Sequence, residues 1–333
     1  MRGGEMKSKN ENGRLCLGVD LGGTNIKLAL VTAQGAVVEK TSVPTQAEGG
    51  PGHVLKRISD HGLALIARAP DPKAVACAGI GSPGPLNSAE GIIYEAPNLG
   101  WKNVEARRIL REQMSLPVAL NNDANCAAWG EYWAGSGRHS RTMLCLTLGT
   151  GIGGGVVING QLFKGACDAA GEFGHVTIDY DSPLPYYMNR GCLEDYASAT
   201  GLSRFARMAI EKGERTALRL DPKDASRPTA RDIYEAAQAG DELAARLLRD
   251  CGTWLGVGVA NLINAFNPDR IVFTGGMVAA WDRLAGPLMA EVKTRAFPKS
   301  VEACTICPGS LWEDAGVIGA AGLGMIEMEK ATA

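Results

Sequence analysis

Two short segments of the chain have the composition of phosphate-binding turns. In the first, DLGGTNIK, Asp20 is followed by Gly22, Gly23 and Thr24. The second, TLGTGIGGG, places one hydroxyl among closely spaced glycines: Gly149, Thr150, Gly151, Gly153 and Gly154. Glycine has no side chain, so backbone N–H groups in such turns can approach an anion closely. The repeated motif suggests a phosphate held between two similar units.

Asp20 is the one acid beside the first turn. An acid next to bound phosphate is repulsive unless a cation lies between them, so Asp20 is a candidate ligand of Mg²⁺, directly or through water. The alternative is a plain hairpin with an exposed aspartate, and the residues alone do not choose between these. The turn is not a G-x-x-x-x-G-K-[ST] loop and does not open a helix, so neither the P-loop nor the Rossmann pattern applies.

The elements that position these turns are strands. Each turn lies between two apolar runs, which is the pattern of a tight β-hairpin. We predict strands over 15–21 and 26–31 around the first turn and a strand over 142–148 before the second. Later strands and helices alternate, which is typical of an α/β fold. Asn122 and Asp123 are good N-cap residues after a predicted strand, so a helix is expected to begin there.

The composition excludes several classes of protein. The 333 residues favour two domains, with 45% hydrophobic residues and a net charge of -2. The chain lacks the basic excess of a nucleic-acid surface, a membrane-spanning apolar run and the apolar core of a signal peptide. We therefore expect no nucleic-acid partner, no membrane contact and a cytoplasmic location. The nine scattered cysteines indicate reduced thiols in the core, and the C-x-x-C of Cys304 and Cys307 has no second pair.

A series of motifs then identifies a family resemblance. In order, the motifs are DLGGTNIK, GIGSPGPLN, APNLGW, NNDANCAAWGE, TLGTGIGGG, GEFGH and GCLE. From about Leu15 to Met325 the chain resembles the ROK family of bacterial sugar kinases and sugar-responsive repressors, in the actin-like, ribonuclease-H-like ATPase superfamily. The resemblance implies two lobes, each a mixed sheet flanked by helices, with a cleft between them. We expect an N-terminal lobe over 14–121, joined by a C-terminal helix at about 314–330, and a larger lobe over 122–313.

The resemblance also implies a reaction, ATP-dependent phosphorylation of a hexose at its 6-hydroxyl, most simply of glucose, with Mg²⁺. A sugar hydroxyl is a poor nucleophile, so transfer of the γ-phosphoryl group requires a positioned base and screening of the phosphate charge. Asp123 matches the family's catalytic base in the N-D-x-N motif. By residue type alone, the alternative for Asp123 is that it only caps its helix.

Roles for further residues follow from the same resemblance. The implied sugar-binding residues are Asn122, Asp123, Glu172, His175 and Glu194, with Gly81, Pro83 and Asn98 shaping the same site. The implied ATP-binding residues are Asp20, Gly22, Gly23, Thr24, Lys27, Gly149, Thr150, Gly151, Gly153, Gly275 and Gly276. Without the resemblance, Glu194 is explained as the start of a helix and His175 as a core histidine.

One departure from the family pattern concerns zinc. Family members usually have C-x-C-G-x-x-G-C after the GH dipeptide, and the histidine with three cysteines binds a structural zinc ion. Here Pro185 and Tyr187 replace the first two cysteines, which leaves only His175 and Cys192. Two ligands do not make a four-coordinate site, so we predict no zinc. The loop that carries His175 must then be held by packing. The alternative is a displaced site in which Cys167 or Asp181 supplies a substitute ligand, although neither has the family's spacing.

Other functions remain open on the sequence. The acceptor could be fructose, mannose, allose, N-acetylmannosamine or N-acetylglucosamine, and polyphosphate could replace ATP as donor. A repressor would need a DNA-binding domain ahead of DLGGT, where only about fourteen polar residues stand before the first strand. A sugar sensor without catalysis is a third class, although the intact Asp20, Asp123 and glycine turns favour an enzyme. The resemblance also implies a homodimer.

Overall fold

The computed structural model describes residues 13–184, 189–221, 224 and 227–332. The chain forms two compact units, each with its own hydrophobic core. Unit 1 comprises Met1–Arg138, Lys164–Ala169 and Asp314–Ala333, and unit 2 comprises His139–Phe163 and Ala170–Glu313.

Unit 1 is built on a five-stranded mixed sheet with the order β3-β2-β1-β4-β8. Its elements are β1 (Leu15–Leu21), β2 (Asn25–Thr32), β3 (Val37–Pro44), α1 (Gly50–Ala67), β4 (Val75–Ser82), β5 (Leu86–Asn87), β6 (Ile92–Ala96), β7 (Trp101–Val104), α2 (Ala106–Met114), β8 (Val118–Asn122) and α3 (Asp123–Trp133). Strands β5, β6 and β7 form a separate small sheet.

Unit 2 repeats this topology with a five-stranded sheet of order β11-β10-β9-β12-β13. Its elements are β9 (Thr142–Leu148), β10 (Ile152–Ile158), β11 (Gln161–Leu162), α4 (Leu193–Ala197), α5 (Ala199–Glu211), α6 (Ala230–Gln238), α7 (Glu242–Phe266), β12 (Arg270–Thr274), α8 (Trp281–Arg295), α9 (Pro298–Ala303) and β13 (Thr305–Pro308). The last helix, α10 (Ala315–Thr332), returns to unit 1.

The two sheets share one arrangement of strands. In unit 1, β1 is antiparallel to β2 through a glycine turn and parallel to β4, and β4 is parallel to β8. In unit 2, β9, β10, β12 and β13 repeat these four positions with the same directions. The first strand is central and apolar on both faces, whereas β3 lies at the sheet edge and alternates between half-buried and exposed residues. The predicted α/β fold of two mixed sheets flanked by helices is confirmed.

The compact units differ from the expected lobes at the boundary. Helix α3 and residues 122–138 belong to unit 1, whereas we expected the larger lobe to begin at residue 122. Residues 164–169 also join unit 1, where Asp168 accepts hydrogen bonds from the Ser88 backbone N–H and hydroxyl at 2.7 and 2.9 Å. The expected lobes over 14–121 and 122–313 stay a prediction about domains. Within the described residues, no helix combines the length and apolarity needed to cross a bilayer.

Candidate active site

In unit 1, the carboxyl ends of three parallel strands bring the predicted acids to one edge of the sheet. Asp20 on β1 pairs with Gly81 on β4, and Gly81 pairs with Asn121 on β8. Asp123 begins α3 directly after β8. Ligands of open α/β sheets bind at the carboxyl edge of the strands, so this edge is the candidate site of chemistry.

Gly81 allows α3 to begin close to the sheet. A Cβ atom at Gly81 would lie 3.1 Å from the Sγ of Cys126 and 3.5 Å from the Cα of Asp123. These contacts are tighter than, or at the limit of, ordinary van der Waals packing, so a side chain here would press on the first turn of α3. Gly81 therefore fixes the position of Asp123, besides any contact it makes with a ligand.

Asn122, rather than Asp123, is the N-cap residue of α3. The Oδ1 atom of Asn122 accepts hydrogen bonds from the backbone N–H groups of Ala124 and Asn125 at 2.9 and 3.1 Å. Asp123 Oδ1 also accepts from the Ala124 N–H, at 2.8 Å. Because Asn122 already satisfies the helix terminus, Asp123 is not required as its cap. The amide nitrogen of Asn122 is the group that it can offer to a sugar hydroxyl.

Two carboxylates flank one buried thiol at this edge. Burial raises the pKa of the Cys126 thiol well above its ordinary value, and the charges of Asp20 and Asp123 raise it further, while Lys164 opposes them. Burial also raises the pKa of Asp20, against a lowering effect of Lys27, its cross-strand partner on β2. Carboxylate oxygens are hard ligands suited to Mg²⁺, which would offset this concentration of negative charge. Asp20 therefore fits the predicted role.

The first glycine turn is tied to the segment that follows β3. The Thr45 hydroxyl donates to the Gly22 carbonyl at 2.7 Å, and the Thr45 N–H donates to the Thr24 carbonyl at 2.8 Å. A Cβ atom at Gly23 would lie 3.4 Å from the Cβ of Asn98. Asn98 thus lies beside the first glycine turn, and Pro83 follows directly after β4. Their role in a sugar site stays a prediction.

In unit 2, the second turn is supported by the start of α5. The Ala199 N–H donates to the Gly149 carbonyl at 2.9 Å, and the Thr200 hydroxyl donates to the Thr150 carbonyl at 2.8 Å. Gly153 lies inside β10, where its N–H donates to the Thr147 hydroxyl at 3.1 Å. Gly153 therefore supports the turn and does not present its N–H group to a phosphate.

A cavity of about 670 Å³ opens beside this turn, entirely within unit 2. Its lining includes Gly149 and Thr150 of the turn, Gly276 after β12, and Tyr234 and Gln238 of α6. This volume is within the range of small-molecule and cofactor sites. The sequence predicted that the glycines bind the nucleotide, but it did not predict that α6 lines the cavity. Nothing in that amphipathic helix distinguishes its cavity face from ordinary polar surface.

Gly275 has a structural reason to be glycine. Its φ angle is 95°, and a Cβ atom there would overlap the carbonyl oxygen of Leu148 at the end of β9. Gly276, by contrast, has nothing near its Cβ position. Of this pair, Gly275 closes the turn after β12 and Gly276 leaves open space at the cavity.

The predicted sugar-binding residues of unit 2 occupy different environments. The Oε2 atom of Glu194 accepts a hydrogen bond from the Ile152 N–H at 2.7 Å, and the missing side chain of Gly151 makes room for this carboxylate. Glu172 is exposed, and His175 is half-buried at the end of the short 3-10 helix Phe173–His175. The Nδ1 atom of His175 is buried and has no hydrogen-bond partner among the described residues.

The predicted site residues thus form one group in each unit. Unit 1 gathers its group at the carboxyl edge of the sheet: Asp20, Gly22, Gly23, Thr24, Lys27, Gly81, Pro83, Asn98, Asn122 and Asp123. Unit 2 contains the second group: Gly149, Thr150, Gly151, Gly153, Glu172, His175, Glu194, Gly275 and Gly276. Sequence reasoning missed Asn121, Cys126 and the lining of α6.

The described part of the family's zinc loop does not fit a zinc ion. The Cys192 thiol donates to Asp195 Oδ2 at 3.1 Å, and His175 and Cys192 are only two of the four ligands that the family's zinc site uses. Pro185 and Tyr187 lie outside the described residues. Across the residues that the structure describes, no group of three or more His, Cys, Asp or Glu side chains converges on a metal position.

Each unit has a mixed sheet of the same topology with a glycine turn after its first strand, and Asp20 precedes the turn of unit 1. This arrangement places the protein in the actin-like class of folds. Comparison with known proteins gives the family. A model of the ROK family matches residues 16–325, so the chain belongs to the ROK family.

Individual relatives agree with this assignment. The chain is 38% identical over 308 residues to a glucokinase of Halalkalibacterium halodurans, covering 92% of this chain and 93% of the relative. It is similar to a ROK family glucokinase of Streptomyces griseus solved with glucose and AMPPNP, with a TM-score of 0.79, 30% identity, and coverage of 94% of this chain and 99% of the other. A ROK family transcriptional regulator, a homologue of the E. coli MLC protein, has a TM-score of 0.83 and 25% identity, covering 94% of this chain and 78% of the regulator.

Proposed function

We propose that the protein is an ATP-dependent sugar kinase that transfers the γ-phosphoryl group of ATP to the 6-hydroxyl of glucose. Similarity to glucokinases over more than nine-tenths of the chain supports the reaction and the acceptor. The observation in the structure that carries the proposal is the cavity beside the second glycine turn, which has Gly149, Thr150 and Gly276 in its lining. These three residues were assigned to the nucleotide from the sequence, and they share one nucleotide-sized space.

Asp123 is the proposed general base. It stands at the carboxyl edge of the sheet of unit 1, with Asn122 satisfying the helix terminus beside it. A carboxylate in this position takes the proton from the sugar hydroxyl as the phosphoryl group transfers. A positioned base of this kind contributes about 10²- to 10⁴-fold to the rate. Asn122, Glu172, His175 and Glu194 are the proposed hydrogen-bond partners of the sugar.

Asp20 is the residue that would hold Mg²⁺, which supplies charge screening to the transferring phosphoryl group. The chain's own residues prepare this role. Lys27 lies opposite Asp20 in the β1–β2 ladder, and the turn that follows β1 is closed by the Gly22 N–H, which donates to the Asn25 carbonyl at 3.0 Å. The proposed nucleotide contacts of this turn are made by main-chain atoms and by the Thr24 hydroxyl.

A coupled assay of ADP release over a panel of sugars tests the proposal. We expect glucose to give the highest kcat/KM in the panel, which includes fructose, mannose, allose and the two N-acetylated amino sugars. Asp123→Asn should lower kcat with glucose by about 10²- to 10⁴-fold. The matched control is Asp60→Asn, which removes an exposed acid of α1 paired only with Lys56 at 2.9 Å and should leave kcat unchanged.

The outcomes separate the candidate functions. Full activity of Asp123→Asn would refute this residue as the base, and a preference for another sugar would refute glucose as the acceptor. A non-catalytic regulator is the second candidate, favoured by the similarity to the ROK regulator. Such a protein would bind a sugar in calorimetry and release no ADP with any sugar. The homodimer, the cytoplasmic location and the use of ATP over polyphosphate remain parts of the proposal that the same preparation can address.

A further inference from the structure

The described residues 172–184 and 189–195, here called the sugar loop, are linked to one another by hydrogen bonds. Its two arms meet in an antiparallel bridge between Thr177 and Cys192. The Ile178 N–H donates to the Gly191 carbonyl at 2.9 Å, and the Leu193 N–H donates to the Val176 carbonyl at 3.0 Å. The arm that ends in Cys192 therefore determines where the other arm, which carries His175, can lie.

Asn189 makes the side-chain connection between the two arms. Its Nδ2 atom donates to the carbonyl oxygen of His175 at 2.8 Å and to the hydroxyl of Thr177 at 2.8 Å. An amide nitrogen has two hydrogens, so both donors of Asn189 are used on the arm that carries His175. The backbone of His175 is thus held directly by a side chain located 14 residues later.

A second set of contacts anchors the far end of the loop. The Tyr196 hydroxyl on α4 lies 2.6 Å from Asp179 Oδ2, to which it donates, and 2.7 Å from the hydroxyl of Ser182. Arg190 Nε donates to the Ser182 carbonyl at 2.8 Å. The Tyr196 ring packs on Trp254 of α7, with ring centroids 4.6 Å apart. These contacts fix the part of the loop around Asp179 and Ser182, whereas Asn189 fixes the backbone position of His175 and Thr177.

We propose that Asn189 is a positioning residue that replaces the family's zinc ion in holding His175 toward the sugar. The inference rests on the proposed sugar-kinase function. In the pattern C-x-C-G-x-x-G-C, Asn189 stands at a position with no specified residue type, and the thiol of Cys192, the one cysteine retained, donates a hydrogen bond to Asp195. A zinc site holds a loop by converging ligands, and Asn189 holds the same stretch by two convergent hydrogen bonds. The residue acts through the His175 backbone and makes no proposed contact with the sugar.

The test uses Asn189→Asp, which keeps the size of the side chain and removes both donors. The new carboxylate would face two oxygen atoms that it cannot bond, so the His175 arm should shift. We expect the sugar KM to rise by about 10-fold or more, with the KM for ATP unchanged. Thr177→Val removes one of the two bonds and should give a smaller rise in the same direction.

The chain offers a matched control at Asn264. Its Nδ2 atom also donates to a backbone carbonyl, that of Arg295, at 3.2 Å, and its Oδ1 accepts from the Phe297 N–H at 3.1 Å. Asn264→Asp makes the same chemical change in unit 2, away from the sugar loop, and should leave the sugar KM unchanged. An equal rise in both variants would mean a general loss of stability and would overturn the proposal, as would no rise in Asn189→Asp.

Metal content gives an independent readout. The purified wild-type protein, treated with a zinc chelator and returned to buffer with Mg²⁺, should keep its activity and contain substoichiometric zinc by mass spectrometry. About one zinc ion per chain, or loss of activity that zinc restores, overturns the proposal.

A final measurement separates this proposal from the function on which it rests. Hydrogen exchange at residues 173–182 should quicken in Asn189→Asp and not in Asn264→Asp, whether or not any sugar is phosphorylated. A wild-type protein that phosphorylates no sugar would refute the proposed kinase function. Unchanged hydrogen exchange in Asn189→Asp would refute the role of Asn189 in positioning His175.

Discussion

At the residue scale, Asp20, the proposed ligand of Mg²⁺, lies at a position that disfavours its negative charge. Burial raises its pKa, and only Lys27 acts in the opposite direction. A Cβ atom at Gly316, in the first turn of α10, would lie 3.0 Å from Asp20 Oδ2, so the carboxylate is packed closely against that helix. A buried acid that must be ionised for function reduces the stability of the fold.

Because burial of the charged acid lowers stability, we predict that Asp20→Asn stabilises the fold and lowers the catalytic activity. The pKa of Asp20 is higher in the folded protein than in the unfolded chain, where it is about 4. The stability that the protonated acid provides below about pH 4 is therefore lost as the pH rises through the folded-state pKa. At pH 7, Asp20→Asn should therefore raise Tm, whereas at pH values below about 4 the two proteins should differ less. Its kcat/KM should fall by about 10²-fold or more, since charge stabilisation at the phosphoryl group is lost. Thermal melts from acid to neutral pH, with the ADP-release assay, check both parts.

Asp60→Asn again serves as the control, because its acid is exposed and its neutralisation should not change Tm by more than about a degree. A Tm of Asp20→Asn below that of the wild type at pH 7 would contradict this account of the burial of Asp20.

At the element scale, α10 packs against its neighbours with backbones in direct contact. A Cβ atom at Gly79 of β4 would overlap the carbonyl of Ala320, and one at Gly319 of α10 would overlap the carbonyl of Cys126 on α3. Glycines on both sides of the contact bring α10 close enough to hold β1, β4 and α3 together. This packing supports the edge at which Asp20 and Asp123 lie.

Gly319→Ala should therefore destabilise the fold. The added methyl group has no space, and overpacking of this kind costs about 1–3 kcal/mol or more. The matched control is Gly52→Ala in α1, where nothing lies within 4 Å of the Cβ position and where alanine should instead add about 0.5–1 kcal/mol. Chemical denaturation of the three proteins measures both changes, and equal stability of Gly319→Ala and the wild type would contradict the close packing.

The helices and strands were largely predictable from the sequence, because burial of one face makes apolar residues recur at the spacing of a helix or a strand. The strand predicted over 15–21 is β1, and the Asn159-Gly160 hairpin joins β10 to β11 with positive φ angles of 51° and 77°. The start of α5 at Ala199 has no hydrophobic signal in the sequence, because its cap is Ser198, whose side chain accepts from the Gly201 N–H. The residues directly before the C-x-x-C of Cys304 and Cys307 are helical up to Ala303, where α9 ends, and β13 begins at Thr305.

At the scale of the whole molecule, two units of one topology supply two different kinds of group. The unit 1 turn follows an acid, whereas the unit 2 turn is bordered by α5 and by the cavity lined by α6. The duplicated strands provide equivalent edges, and the helices and loops added to each edge decide its chemistry.

Binding should be visible in the stability of the whole protein. A ligand that binds only the folded state at a concentration of 100 times its Kd stabilises that state by about 2.7 kcal/mol. Saturating glucose should therefore raise Tm of the wild type by several degrees, and mannitol at the same concentration should raise it much less. The absence of a shift at glucose concentrations that saturate the ADP-release assay would contradict sugar binding to the folded protein.

The sequence by itself determined the fold class, the family and the identity of the candidate groups, since strand periodicity and glycine turns are local signals and the motifs have a fixed order. Only the tertiary structure decided which atoms of these groups already form hydrogen bonds within the protein and which residues line the cavity. It assigned the cap of α3 to Asn122, joined Glu194 to the second turn, placed α6 beside the nucleotide-sized cavity and linked Asn189 to His175. These contacts join residues whose partners depend on how loops and helices pack, and no local pattern of side chains encodes that packing.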